Sequence, residues 1–100
     1  MIKHIVMWRL KEKARGATKE DNAWTMKAHL EALPAVIPEI RRLEVGLNIK
    51  DSERAADVVL CSEFDSPEAL ATYIQHPAHM EVVAFVREVT NETRVVDYEV

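Results

Sequence analysis

Ser66-Pro67-Glu68-Ala69-Leu70-Ala71-Thr72-Tyr73-Ile74-Gln75-His76-Pro77-Ala78-His79-Met80 contains two helix starts in one short stretch. Ser66 is a good cap, Pro67 suits the first helical position, and Glu68 lies near the positive end of the helix dipole. Ala69, Leu70, Tyr73 and Ile74 follow at helical spacing. The helix must stop near His76, because the residue before a proline avoids the α region. Pro77 opens a second helix, with Met80, Val83, Val86 and Val89 predicted on its inner side. This stretch therefore reads as one helical unit broken in two, and the order of strands around it decides the fold.

Downstream, Thr93 to Val100 reads as a strand. Upstream, Asp57 to Phe64 and Ile40 to Ile49 read as two strands joined by the polar turn Lys50 to Ala56, so they pair antiparallel. Leu43, Val45, Leu47 and Ile49 are predicted to share one face. Ala23, Met26, Leu30 and Leu33 recur at helical spacing after a Thr18–Asp21 start signal, and Pro34 ends that pattern. Lys11 to Ala17 reads as a loop. Met1 to Leu10 alternates Ile2, His4, Val6, Trp8 and Leu10 against Lys3, Ile5, Met7 and Arg9. The order is βαββαβ, a ferredoxin-like α+β fold with a four-stranded antiparallel sheet.

Such a sheet carries helices on one side and should leave the other side polar. Here Ile5 and Met7 on the first strand, and Val59 and Cys61 on the third, put apolar groups on the second face of the two central strands. A second copy of the sheet is the simplest cover, so a homodimer through the sheet face is expected.

Composition narrows the function classes. With 100 residues, 48% apolar and 30% charged, the chain is expected to form a single globular domain over residues 1–100. Its net charge of -4, with Lys and Arg scattered among acids, offers no basic face for nucleic acid. No apolar run approaches the ~20 residues of a membrane span, and no signal-peptide core is visible, so a cytoplasmic location is expected. The single cysteine, Cys61, rules out an internal disulfide and is expected to be a buried thiol.

Four blocks carry a family resemblance: Met1-Ile2-Lys3-His4-Ile5-Val6-Met7-Trp8, Leu43-Glu44-Val45-Gly46-Leu47-Asn48, Glu63-Phe64-Asp65-Ser66-Pro67-Glu68-Ala69-Leu70, and Tyr73-Ile74-Gln75-His76-Pro77-Ala78-His79. With the closing Val96-Asp97-Tyr98, they resemble the stress-responsive A/B barrel (Dabb) family from end to end. The resemblance implies a dimeric α+β barrel but no single reaction. The family includes stress-associated proteins without assigned chemistry and a plant polyketide cyclase. Similarity to that cyclase implies an acid/base pair of Tyr73 and His79, with His4 as the histidine of the N-terminal strand. The chain departs from the cyclase at Leu30 and Val58, where that enzyme carries a Tyr and a His. A smaller, more apolar pocket is expected.

The residues themselves support the same candidates. His79 lies in the first turn after Pro77, where the dipole disfavours the protonated imidazole, so it is available as a general base. A hydrogen-bonded Tyr73 hydroxyl would orient it or donate to a substrate oxygen. His4 sits on an otherwise apolar strand face, where a histidine is commonly a hydrogen-bonded core residue. If that face meets the helices, His4 and His79 share a cavity walled by Trp8, Leu30, Leu33 and Phe85, with His76 as a further substrate contact. His76 and His79 have no neighbouring ligands to complete a metal site, and no cofactor fingerprint is present, so neither metal nor cofactor is expected. His29 is expected in solvent, and Asp57 and Asp97 as ion-pair residues at a rim or interface. The expected function is a cofactor-independent cyclase- or lyase-like enzyme acting on a small apolar carbonyl or phenolic compound. The alternative is a non-catalytic stress-responsive protein, either a small-molecule binder or a structural dimer.

Overall fold

Strict alternation gives the first strand two faces. In the computed structural model, which describes residues 1–100, β1 (Ile2–Leu10) buries Ile2, His4, Val6, Trp8 and Leu10 on one side. A short hairpin follows, β2 (Lys13–Ala14) and β3 (Ala17–Thr18), and then helix α1 (Lys19–Glu31). Strands β4 (Arg42–Leu47) and β5 (Val58–Phe64) lead into helices α2 (Pro67–Gln75) and α3 (Pro77–Val89), and β6 (Thr90–Glu99) closes the chain. The main sheet has the order β4-β5-β1-β6 with every neighbouring pair antiparallel. This is the ferredoxin-like α+β arrangement expected from the strand order. No helix is long and apolar enough to cross a membrane.

The helix ends follow their cap residues. Thr18 accepts a hydrogen bond from the Asp21 amide, and Ser66 from the Ala69 amide. His76 serves two helices at once: it ends α2 in an extended conformation and caps α3, its Nδ1 accepting from the Ala78 amide at 3.0 Å. Between the helices and the sheet, Met26, Ile37, Phe64, Tyr73 and Val89 are wholly buried.

Several expectations need correction. β4 ends at Leu47, and Ile49 is fully exposed instead of sharing its apolar face. The Asn48 amide donates to the Asp57 carbonyl, and its side chain donates to the Lys50 carbonyl, which turns the chain away from the sheet. Met80 points outward, and Val82 takes the expected inner place. The phase of α3 follows from the positions 79, 82, 83 and 86, which form one helical stripe. β6 starts at Thr90, directly after α3, and its register against β1 shifts between Arg9 and Leu10. The presumed loop contains the β2–β3 hairpin, whose tip residues Arg15 and Gly16 both have positive φ, as a two-residue type I′ turn requires. Cys61 is only half-buried, because it lies on the sheet face away from the helices.

That second face is the unusual one. Opposite residues of an antiparallel pair share a face, so Ile5 lies between Cys61 and Val96, and Met7 between Val59 and Arg94. Lys3, Glu63 and Tyr98 continue the row, with Glu44 beside Cys61. An apolar centre with a charged rim is thus left uncovered within one chain. From Asn91 onward β6 is exposed throughout.

Candidate active site

The helix side of β1 meets α2 and α3 over a cavity of about 250 Å³. His4, Val6 and Trp8 come from β1, Leu60 from β5 and Leu30 from α1. Tyr73 and Ile74 line it from the end of α2. His79 and Arg87 belong to α3, and Thr93 to β6. The break at Pro77 brings this about, because it lets Tyr73 and His79 face the same space from different helices.

Tyr73 is fully buried, and its hydroxyl has no hydrogen-bond partner. Its ring stands between the two histidines, 4.3 Å from His79 and 6.0 Å from His4 between centroids. The expected Tyr73–His79 hydrogen bond is therefore replaced by ring packing. Burial pushes the Tyr73 pKa well above its ordinary value, so the group remains a neutral donor. His79 is half-buried, and desolvation holds its pKa below the usual imidazole value. The His4 and His76 charges act in the same direction, while the hydrogen bond to the Ile74 carbonyl opposes them. At 3.0 Å from that carbonyl, the neutral ring carries its proton on Nδ1 and leaves Nε2 as an acceptor. Burial thus moves the two titrations in opposite directions, that of Tyr73 up and that of His79 down.

His4 is buried on β1 and flanked in register by Ser62 and Asp97. Its Nδ1 is hydrogen-bonded to the Asp97 carboxylate. Asp97 thus holds the ring through Nδ1 and favours the tautomer that carries its proton there. The rim role expected of Asp97 becomes a pairing with a cavity residue. Asp57, by contrast, accepts from the Leu10 amide and lies near Lys19.

Of the residues singled out from sequence, His4, Trp8, Leu30, Tyr73 and His79 meet in this cavity. Leu33, His76 and Phe85 lie outside its lining. Leu33 is packed in the core, and His76 is occupied as a helix cap. Phe85 faces the other way, with His29 stacked on it at 5.6 Å and the Arg15 guanidinium at 5.5 Å. His29 is exposed as expected, though packed on this ring. Sequence reading passed over Arg87, Thr90, Thr93 and Val95, which line the side of the cavity toward β6. Period-two alternation in β6 was the available signal, but only the register shows that Asp97 falls opposite His4.

The resemblance seen in the sequence extends over the whole chain. The Stress Responsive A/B Barrel Domain family model matches residues 2–100. An uncharacterized protein of Streptomyces coelicolor is 33% identical over 99% of both chains. A dimeric ferredoxin-like protein of unknown function from Bacteroides fragilis superposes with a TM-score of 0.87 at 34% identity, covering 99% of this chain and 95% of its own. The hydroxynitrile lyase of Passiflora edulis shares the fold at a TM-score of 0.82 and 18% identity, covering 97% and 90% of the two chains. The chain belongs to the stress-responsive A/B barrel (Dabb) family.

Proposed function

We propose that this protein is a cofactor-independent enzyme that moves a proton beside the carbonyl or phenolic oxygen of a small, mostly apolar compound. One observation carries the reading: the buried Tyr73 hydroxyl lacks any protein partner, and Tyr73 is one of the residues that line the cavity. Leaving such a group unpaired costs about 1–3 kcal/mol, a cost that a ligand oxygen would relieve.

In this reading the Tyr73 hydroxyl donates to the substrate oxygen. With a carbonyl substrate, His79 Nε2 takes a proton from the α-carbon, and the electrons of that C–H bond move through the new C=C bond to the carbonyl oxygen held by Tyr73. His4, oriented by Asp97, accepts from a second polar group of the substrate. The resulting enolate is reprotonated by His79 or closes a bond onto a second carbonyl carbon. Trp8, Leu30 and Leu60 supply the apolar walls. A cavity of about 250 Å³ falls just below the ~300–1,000 Å³ of pockets for drug-sized ligands, which favours a small substrate. The Passiflora protein, a hydroxynitrile lyase by name, is compatible with a lyase-type step on this fold, but at 18% identity it lends no residue assignment.

The same reading includes a homodimer formed through the uncovered sheet face. The central Ile5, Met7, Val59 and Val96, together with the dimeric Bacteroides relative, support it. That face also favours a second reading, in which the protein binds small molecules or acts as a structural dimer without turnover.

The test is a thermal-shift screen of small ketones and phenols on wild type and His79→Ala at one fixed protein concentration, because dissociation of a dimer also moves Tm. Stabilisation that weakens in the variant is expected. No hit with either protein would count against the cavity as a site and favour the structural reading.

A further inference from the structure

Arg87 is the permanently charged residue in the cavity lining, and no Asp or Glu joins it there. In a chain of 17 acids against 13 bases this is an uneven local balance. Arg87 also borders an adjoining outer cleft of about 360 Å³, which shares Ile74, His79 and Val83 with the cavity. Arg87 is exposed and lines both spaces. The cations beside other clefts are neutralised: Lys3 faces Glu63, Lys19 faces Glu12, and Arg42 faces Glu44. The Arg87 side chain, on α3, has neither an ion-pair partner nor a hydrogen bond.

The surroundings suit one end of a ligand. The Thr93 hydroxyl makes no hydrogen bond, its carbonyl accepting from Arg94, and Thr90 donates its hydroxyl proton to the Val86 carbonyl, leaving its oxygen free to accept. His79 and Arg87 are eight residues apart on α3, so their Cα atoms are about 12 Å apart along the axis. The arginine side chain leans toward the helix N-terminus and shortens that span. Guanidinium groups are well matched to carboxylates, which they bind with two parallel hydrogen bonds.

We propose that the ligand of this cavity is an organic acid: a carbonyl or phenolic body seated against Tyr73 and His79, with its carboxylate on Arg87. The inference rests on the proposed reading of the cavity and adds the substrate class. Arg87 acts here as a specificity-determining residue.

The probe pair is 4-oxo-4-phenylbutanoate, an aryl keto acid, and its uncharged methyl ester. Both are titrated into wild type and Arg87→Gln in a Trp24→Phe background. Trp24 is largely exposed on α1, so its replacement leaves Trp8 in the cavity wall as the fluorescent reporter. The acid is expected to bind wild type about tenfold more tightly than the ester, as suits a hydrogen-bonded charge pair. The preference should shrink as ionic strength rises and vanish in Arg87→Gln, with ester affinity unchanged. Equal binding of acid and ester, or a preference that survives in Arg87→Gln, would overturn the assignment while leaving the cavity reading intact. Binding of neither compound would remove the cavity reading and this inference with it. A purely structural Arg87, placed to favour the C-terminal end of α3, would lower Tm on substitution without altering the acid-to-ester ratio.

Discussion

Replacing Tyr73 with Phe should stabilise the unliganded protein. An ordinary buried tyrosine hydroxyl is hydrogen-bonded, and its removal costs about 0.5–1.5 kcal/mol. The Tyr73 hydroxyl is buried without a partner, so the native state already bears a desolvation cost of about 1–3 kcal/mol. The Phe ring keeps the packing on Phe64, whose centroid lies 5.0 Å away, and on His79 at 4.3 Å. The expected gain is about 1–2 kcal/mol. Urea unfolding of both proteins at one concentration measures it: with m unchanged, the midpoint should rise by about 0.5–1 M. The same variant should lose ligand affinity or turnover, the pattern of a group kept for function at a cost in stability. A fall in stability of 1 kcal/mol or more would show that the hydroxyl is satisfied in the native protein and would remove the main argument for a ligand there.

Other expectations follow from single contacts. NMR titration of His79 should give a pKa below the ordinary ~6.5, because burial disfavours the charged ring. Its linkage to stability has a definite sign: below about pH 6.5 the unfolded imidazole binds a proton that the folded one resists, so stability falls with pH until the folded pKa is passed. That dependence should flatten in His79→Asn; an unchanged profile would assign the loss to other groups. Asp97→Asn should cost less than about 1 kcal/mol of stability, since the Asp97 side chain is 41% exposed, yet reduce activity by freeing the His4 tautomer; activity equal to wild type would leave the pairing without a role. Val96→Glu, opposite Ile5 on the bare face, should shift sedimentation toward a monomer, and an unaltered dimer would move the interface elsewhere.

Much of the architecture was legible because local signals agreed with one another. Ser66-Pro67 and His76-Pro77 fix two helix starts through backbone restriction alone, and alternation in Met1 to Leu10 fixes which side of β1 meets them. Tyr73, His79 and His4 could therefore be gathered from pattern. What escaped depends on information the pattern does not hold. Arg15-Gly16 lacks the Asn-Gly or Asp-Gly signature of a type I′ hairpin, and contacts with Glu88 and Phe85 help hold it in place. Phe85 turns toward that hairpin and away from the cavity because the phase of α3 is set by 79, 82 and 86. His76 is too useful as a cap to remain free for a ligand. Asp97 enters only through strand register, and Arg87 only through the packing of α3 beside β6.

The most direct test of the proposed chemistry is proton exchange at carbon. The keto acid 4-oxo-4-phenylbutanoate is incubated with the protein in D2O, and loss of the proton signal beside its ketone is followed by NMR. The account predicts exchange above the buffer rate that is slowed about 10²-fold or more in His79→Ala, the usual scale of general base catalysis. Exchange at the buffer rate while the compound is demonstrably bound, or protein-dependent exchange unaffected by His79→Ala, would contradict a proton-transferring role for this site.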